Sequence, residues 1–554
     1  MNQNRWKQEA ANFTNDCQHA AELSREILRK LMRDNQNTEY GRNHHFEEVK
    51  TVEDYQRLVP VTEYSDYTDA VDRMRAGEDN ILTAYPLKYF LLTSGSTGVQ
   101  KRIPLTEEAL SRALDPVWYA CHGNTPGIDQ GKHLVLSVFR TDLEQPEPET
   151  LLSIAFHRQL HERGGHELER WVLGGEDLLF SKEIGNIPYV KLWILFSSPQ
   201  TVGIQSVFLY DALLFFCFFE EYWREVLQDV ERHQVSELIP LGPKVREALL
   251  ALPRPGSEWL LHIRRECEAG FAGIMKRIWP DFQWLSGIGG STFSAQEPVL
   301  RSYLGEGVQL HYFMYTASEC FMGIALGPET REYVLLPRGG YFEFIPWNPS
   351  DQDTRIRTME ELEPGQEYEI LVTNFSGLYR YQLGDVIRVT GFYGQAPMFE
   401  VGFRKNQAVN VAGEKTDMKI VTMAMERLAA RMDIRIFEYS ICDDKSQLPG
   451  KCLCFLEAEG EDERFQELDA VLDEILWELN DDYRDLRELR MILPPEVCRV
   501  HHGTHRECRE KFSKKQSHSK PIHYLTDPKV IAFMKEKRYY NKDIYHQSEG
   551  EPAG

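Results

Sequence analysis

From Tyr85 onward the chain is written in short apolar or β-branched runs, HLVLSVF, VQLHYFMY, YVLLP, YFEFIP and YEILVTN, separated by helical stretches and glycine turns. Runs of that length with that punctuation make strands, and their alternation with helical periodicity restricts the chain to a mixed α/β body. Upstream, residues 17–82 read as mostly helical: CQHAAELSREILRKLMRD carries apolar positions at helical spacing, and Thr51 opens the capping-box pattern TVED. The texture changes again over 401–417, VGFRKNQAVNVAGEKTD, a turn and a strand that lead into the amphipathic helix MKIVTMAMERLAARM. The runs IRIFEYSI and KCLCFLEA, the helix FQELDAVLDEILWELNDDY and the run MILPPEVCRV then supply one small α+β domain. The expected organisation is a body over 1–403, a hinge near Arg404 and a small mobile domain over 404–554.

Charge and composition narrow the function classes. The chain has 554 residues, 42% of them hydrophobic, enough for a large core. Its formal net charge of −23 repels a polyphosphate backbone and an anionic membrane surface, so neither nucleic acid nor membrane is expected as a partner. The longest apolar stretch, Val207 to Phe219, is interrupted by Asp211 and falls short of the roughly 20 residues that span a bilayer. It is expected to be a buried helix. The N-terminal MNQNRWKQEAANFTNDC has no secretory pattern, and ten cysteines without a CxxC pair suit a reducing compartment, so a cytoplasmic location is expected. HHGTHREC, residues 501–508, carries imidazoles and a thiol, but no second ligand cluster accompanies it, and no zinc is expected there.

Three segments carry chemistry. In LLTSGSTGVQKRIPLT, residues 91–106, an apolar strand runs into a loop of Thr93, Ser94, Gly95, Ser96, Thr97 and Gly98, closed by Lys101. Small residues let backbone amides approach an anion, the hydroxyls add donors, and the lysine reaches outer phosphates. The spacing is GxxGxxK rather than the P-loop GxxxxGK, and an ordinary surface turn satisfies it equally well. In VQLHYFMYTASECFMGIALG, Tyr315 precedes Ser318 and Glu319 at a strand exit, where a carboxylate is placed to hold magnesium against phosphate oxygens or simply to be solvated. In SGLYRYQLGDVIRVTGF, Asp385 follows Gly384 in what reads as a turn, where it accepts hydrogen bonds from a ribose diol or serves as plain turn chemistry.

Order and spacing join the three. A hydroxyl and glycine loop with lysine, then YxxSE, then YRxxxGD, then a hinge and a small C-terminal domain resembles the adenylate-forming enzyme superfamily. Within it the chain resembles the auxin-responsive acyl-acid amido synthetases and their bacterial-type relatives. The likeness is carried by NTEYGR (37–42), TVEDYQRLVPVTEY (51–64), GEDNILT (77–83), TSGSTGVQKRIPLT, IWPDF (278–282), YTASECFMGI (315–324), YFEFIP (341–346) and GLYRYQLGDVIRVTGF (377–392), in the family's order over most of the first 415 residues.

The resemblance implies a large adenylate-forming domain that binds ATP and an acyl acid, and a small lid. ATP and a small carboxylic acid would give an acyl-adenylate, and an amino acid's amine would then take the acyl group. Ser94 to Thr97 and Lys101 would cradle phosphates, Glu319 would bind Mg2+, Asp385 would hold the ribose and Tyr315 would pack near adenine. The stretch Gly289 to Ser291 falls where the family lines its nucleotide pocket, and the helix around Val207 to Phe219 where it lines the acyl pocket. Lys520, in QSHSKP, is the candidate for the lysine that the family brings from the mobile domain, in a locally basic stretch from Arg506 to Lys520. Lys415, in GEKTD, matches a second family lysine just past the hinge. A monomer is expected. A thioester ligase with the same adenylation half, or a nucleotide-binding pseudoenzyme, would share these motifs.

Overall fold

Helical spacing over the first 82 residues becomes the helices Gln3–Gln18, Ala20–Asn35, Glu39–Asn43, Val52–Leu58 and Thr68–Arg75. The second buries Ile27, Leu28, Leu31 and Met32 on one stripe, as its period requires. The capping box is formed, with the Thr51 side chain accepting from Asp54 N and the Asp54 carboxylate accepting from Thr51 N. The computed structural model describes residues 3–539 apart from 94–100, 124, 126–129, 140, 142–146, 165–170, 290–292, 295, 348–354, 406–407, 410, 412–415, 448, 490 and 513–520. The chain divides into two compact units, residues 1–291 with 300–405, and residues 292–299 with 406–554.

Among the described residues three sheets build the first unit. A parallel sheet runs Lys132–Val135, Thr201–Phe208, Trp284–Ile288 and Gln309–His311 in that order. Its strands are buried almost along their length, as covered parallel strands must be. Gly203 faces Trp284 across the pair, and a Cβ there would lie 2.2 Å from the indole, so the indole ring occupies the space a side chain would need. A small sheet pairs Leu87–Leu92 with Arg102–Thr106 and Glu149–Thr150. The third sheet is antiparallel with seven strands, in the order Tyr341–Pro346, Glu367–Thr373, Tyr381–Tyr393, Ala396–Arg404, Glu332–Leu335, Phe321–Ile324 and Met314–Thr316. The run VQLHYFMY is therefore two strands. Gln309–His311 ends the parallel sheet, the chain turns through buried Tyr312 and Phe313, and Met314–Thr316 opens the antiparallel one.

The apolar stretch at 207–219 is a helix from Leu209, since Val207 and Phe208 finish the preceding strand; it continues to Arg232 with Leu213, Phe216, Phe219, Trp223 and Val230 on its buried face. Among the described residues no helix is long and apolar enough to cross a membrane. The helix Ile187–Phe196 buries every residue from Tyr189 to Phe196, Lys191 included; the Lys191 amine donates to Leu178 O at 3.1 Å.

In the second unit, Arg435–Asp444, Lys451–Glu459 and Glu496–Arg499 form a three-stranded sheet. Its two faces follow the period of two: Cys452, Cys454 and Leu456 pack with the helices Met418–Met432 and Leu468–Leu479, while Leu453 and Phe455 pack with Cys508, Phe533 and Met534. The stretch read as one helix from Phe465 breaks at Asn480, whose carboxamide oxygen caps Tyr483 N and whose amide donates to Thr416 Oγ1 at 2.8 Å. A second helix, Asp481–Glu488, starts there.

Candidate active site

The strands Leu87–Leu92 and Arg102–Thr106 bring the ends of the hydroxyl and glycine loop together. Thr93 N donates to Lys101 O at 3.1 Å, and Lys101 N donates to Thr93 Oγ1 at 3.2 Å. Ser94, Gly95, Ser96, Thr97 and Gly98 lie outside the described residues, as do Lys415 and Lys520. The Lys101 amine donates to Tyr381 Oη at 3.2 Å and stands 5.4 Å from the Tyr64 ring centroid. Tyr64 is fixed in turn, accepting from Arg102 N at 2.8 Å and donating to Arg102 O at 3.2 Å. Among the described residues no carboxylate pairs with Lys101.

Glu319 is not the solvated glutamate that its position at a strand exit allows. It sits in the hairpin turn between Met314–Thr316 and Phe321–Ile324, closed by Ala317 N to Cys320 O at 2.9 Å, and is 5% exposed. Asn374 holds its carbonyl through an Nδ2 hydrogen bond of 2.7 Å. Its carboxylate takes one hydrogen bond among the described residues, from Tyr381 Oη at 3.4 Å. A carboxylate oxygen is the ligand type that a hard divalent cation takes. Next to it, burial pushes the Cys320 thiol far above its usual range, so that sulfur stays protonated.

Asp385 is in a strand rather than a turn. The strand Tyr381–Tyr393 carries a bulge: Leu371 pairs with Gln382 but Glu369 pairs with Val386, leaving 383–385 unmatched, with Gly384 at φ +82°. The bulge re-aims Asp385 while its other edge stays in register with Arg404. Tyr315 Oη donates to the Asp385 carboxylate, and the Tyr315 ring packs against Phe399 at 5.8 Å and Tyr333 at 6.0 Å. One strand thus carries two contact groups, Lys101 and Glu319 at Tyr381 where it starts and Tyr315 at Asp385 four residues on.

That strand is held from behind. Arg380 adopts a left-handed φ of +47°, and its guanidinium donates to Glu343 Oε2 at 2.9 Å, to Gln56 O at 3.0 Å and to Val59 O at 2.8 Å, entirely buried. Burial raises the Glu343 carboxyl above its usual value, and the Arg380 charge opposes that. The sequence assigns no site role to Tyr381, Arg380 or Tyr64, although the first two stand inside YRxxxGD and Tyr64 closes TVEDYQRLVPVTEY.

HHGTHREC does not converge on one point. The His501 ring lies tilted beside that of Tyr539 and Cys508 is in the core, while His505 donates or accepts on both ring nitrogens, Nδ1 with Glu457 Oε1 at 2.9 Å and Nε2 with Ser440 Oγ at 3.1 Å. Glu438, Glu457 and His505 lie close enough to share an ion, but the Arg509 guanidinium already pairs with Glu438.

Comparison with known proteins decides the lineage. The model of the GH3 family N-terminal domain matches residues 9–310, that of the GH3 family central domain 333–404 and that of the GH3 family C-terminal domain 419–522. The chain belongs to the GH3 family. Within curated GH3 relatives it is 28% identical over 545 residues to a probable indole-3-acetic acid-amido synthetase, GH3.2 of Oryza sativa subsp. japonica, covering 92% of this chain and 88% of that one. It is 27% identical over 474 residues to the indole-3-acetic acid-amido synthetase GH3.5 of Arabidopsis thaliana, covering 79% and 77%. The solved structure of the GH3.15 acyl acid amido synthetase superposes with a TM-score of 0.84 at 24% identity over 95% of both chains. A 2-hydroxyisobutyryl-CoA ligase in its postadenylation state shares the fold more distantly, with a TM-score of 0.51 at 12% identity over 96% of this GH3 chain and 91% of the ligase.

Proposed function

We propose that this GH3 protein is an ATP-dependent ligase that activates a small carboxylic acid as its acyl-adenylate and passes the acyl group to an amino acid's amine. The observation that carries the reading is the set of groups held by one strand: a lysine with no carboxylate partner among the described residues, a buried glutamate that shares the same tyrosine hydroxyl and an aspartate aimed by a bulge, within a chain of this family. Thr93 and the loop up to Lys101 would bind phosphates, and the Lys101 amine would stabilise charge on the transferring phosphorus. Glu319 would hold Mg2+. When bound, the ion supplies Lewis-acid neutralisation of phosphate oxygens. Asp385 would accept from the ribose hydroxyls, with the Tyr315 ring beside the base. The acyl acid would approach on the side of the helix Leu209–Arg232.

Lys415 and Lys520 keep their roles as candidates from the small domain, whose rotation about the boundary near Arg404 would exchange the adenylation arrangement for the transfer one. We read the protein as a cytosolic monomer that binds no nucleic acid. No disulfide joins the described cysteines to one another, which suits a reducing compartment.

The test is a product screen. Purified protein with Mg·ATP and a panel of aromatic and aliphatic acids is offered all common amino acids and, separately, coenzyme A, with mass spectrometry of adenylate, amide and thioester. An amide from at least one acid and amino acid is expected; a thioester without any amide would move the protein to the thioester ligases, and no adenylate with any acid would reject the ligase reading.

A further inference from the structure

Lys101 and Glu319, a base and an acid, meet at one atom, the Tyr381 hydroxyl oxygen, and form no direct ion pair. The amine donates to Oη at 3.2 Å, and the Tyr381 hydroxyl donates to Glu319 Oε1 at 3.4 Å. A partly buried ammonium and a buried carboxylate this near each other gain by direct contact, because the local dielectric is far below that of water. Direct contact would also leave neither group available to a ligand. The pair is nevertheless separated by one oxygen, whose single proton satisfies the carboxylate and whose lone pair satisfies the amine.

The phenol is not free to leave. Tyr381 is 1% exposed, pairs in register with Val372, and forms an isolated bridge with Thr62. Its predecessor Arg380 is locked by Glu343 and two carbonyls in a backbone conformation that a side chain rarely takes. The Tyr67 ring lies 6.2 Å away by centroids, and the Lys101 amine stands 5.9 Å from the Tyr381 ring itself.

We infer that Tyr381 is a positioning residue that keeps Lys101 and Glu319 apart in the unloaded protein, so that the amine stays available to phosphate and the carboxylate to a divalent cation. The inference rests on the ligand roles given to those two groups above. Loading then trades one hydrogen bond at each end for a charged ligand, and no ion pair has to be broken first. Without the hydroxyl, the lysine collapses onto the glutamate.

Lysine reactivity tests this without any turnover. The nucleotide-free protein is treated with limiting trinitrobenzenesulfonate, and the rate of Lys101 modification is read by peptide mass spectrometry. Tyr381→Phe is expected to slow Lys101 labelling at least fivefold, and Tyr381→Phe with Glu319→Gln to restore it to within twofold of wild type, while modification of exposed Lys244 stays constant in all variants. Unchanged Lys101 labelling in Tyr381→Phe, or slowed labelling that Glu319→Gln fails to restore, would overturn the inference. Calorimetry with Mg·ATP on the same proteins separates the two readings. A roughly tenfold weaker affinity in Tyr381→Phe is expected; the labelling pattern without Mg·ATP binding by any variant would leave the separation standing and remove the ligase.

Discussion

Lys191 is a lysine 2% exposed in an otherwise apolar helix, with one carbonyl for a partner among the described residues. Burial lowers its pKa from 10.5 to about 7. The folded protein therefore binds fewer protons than the unfolded one between those values, and stability falls as pH drops from about 10.5 to about 7, then levels off. At roughly 1.4 kcal/mol per pH unit the linkage costs several kcal/mol at pH 7. Lys191→Met is expected to be the more stable protein by urea denaturation at pH 7, with the gap closing as pH is raised to 10; a gap independent of pH would refute the assignment. The opposite sign is expected at Arg380. Arg380→Met strands the buried Glu343 carboxylate and should lose about 3–5 kcal/mol in the same assay, and a loss under 1 kcal/mol would show the pair to be dispensable. At this scale local chemistry in the sequence singles out Lys101, Glu319 and Asp385. It was mute about the tyrosine between them, because Tyr381 meets Lys101 across 280 residues and Glu319 across 62, and no local pattern encodes a pairing of that range.

The elements repeat the lesson with different physics. Helix Met418–Met432 begins at Asp417, whose side chain caps Ile420 N, and a capped amphipathic run of that kind is readable directly. The run VQLHYFMY looked like one strand because periodicity does not report which sheet a residue joins, and the break after His311 is decided by partners on two sheets. Asp385 was misread for a related reason: Asp after Gly signals a turn, but here the left-handed Gly384 makes a bulge within a continuing strand. A Cβ at Gly384 meets nothing within 4 Å, so substitution there acts through the backbone alone. Gly384→Ala is expected to cost about 1–2 kcal/mol and, by turning Asp385, to weaken Mg·ATP binding at least tenfold in calorimetry. Full affinity in that variant would dissociate the bulge from nucleotide binding.

At the scale of the molecule, the first unit ends where its own sheet ends. Lys405 N donates to Gly384 O at 2.6 Å, and the Lys405 amine pairs with the buried Glu369 at 3.1 Å, so the last residue before the boundary is fastened to the bulge that aims Asp385. The texture change that the sequence shows near 401–417 comes from this handover between a seven-stranded antiparallel sheet and a three-stranded one with helices on both faces. The acid and the amine were not legible, because pocket shape is a sum over side chains on elements far apart in the chain. Lys101, Glu319 and Asp385 are proposed to serve one nucleotide, and exchange of labelled pyrophosphate into ATP, driven by an accepted acid, measures that most directly. Wild type is expected to exchange only when acid is present, and Lys101→Ala and Glu319→Ala to exchange at least a hundredfold more slowly with unchanged thermal unfolding; exchange at the wild-type rate in either variant would contradict the account.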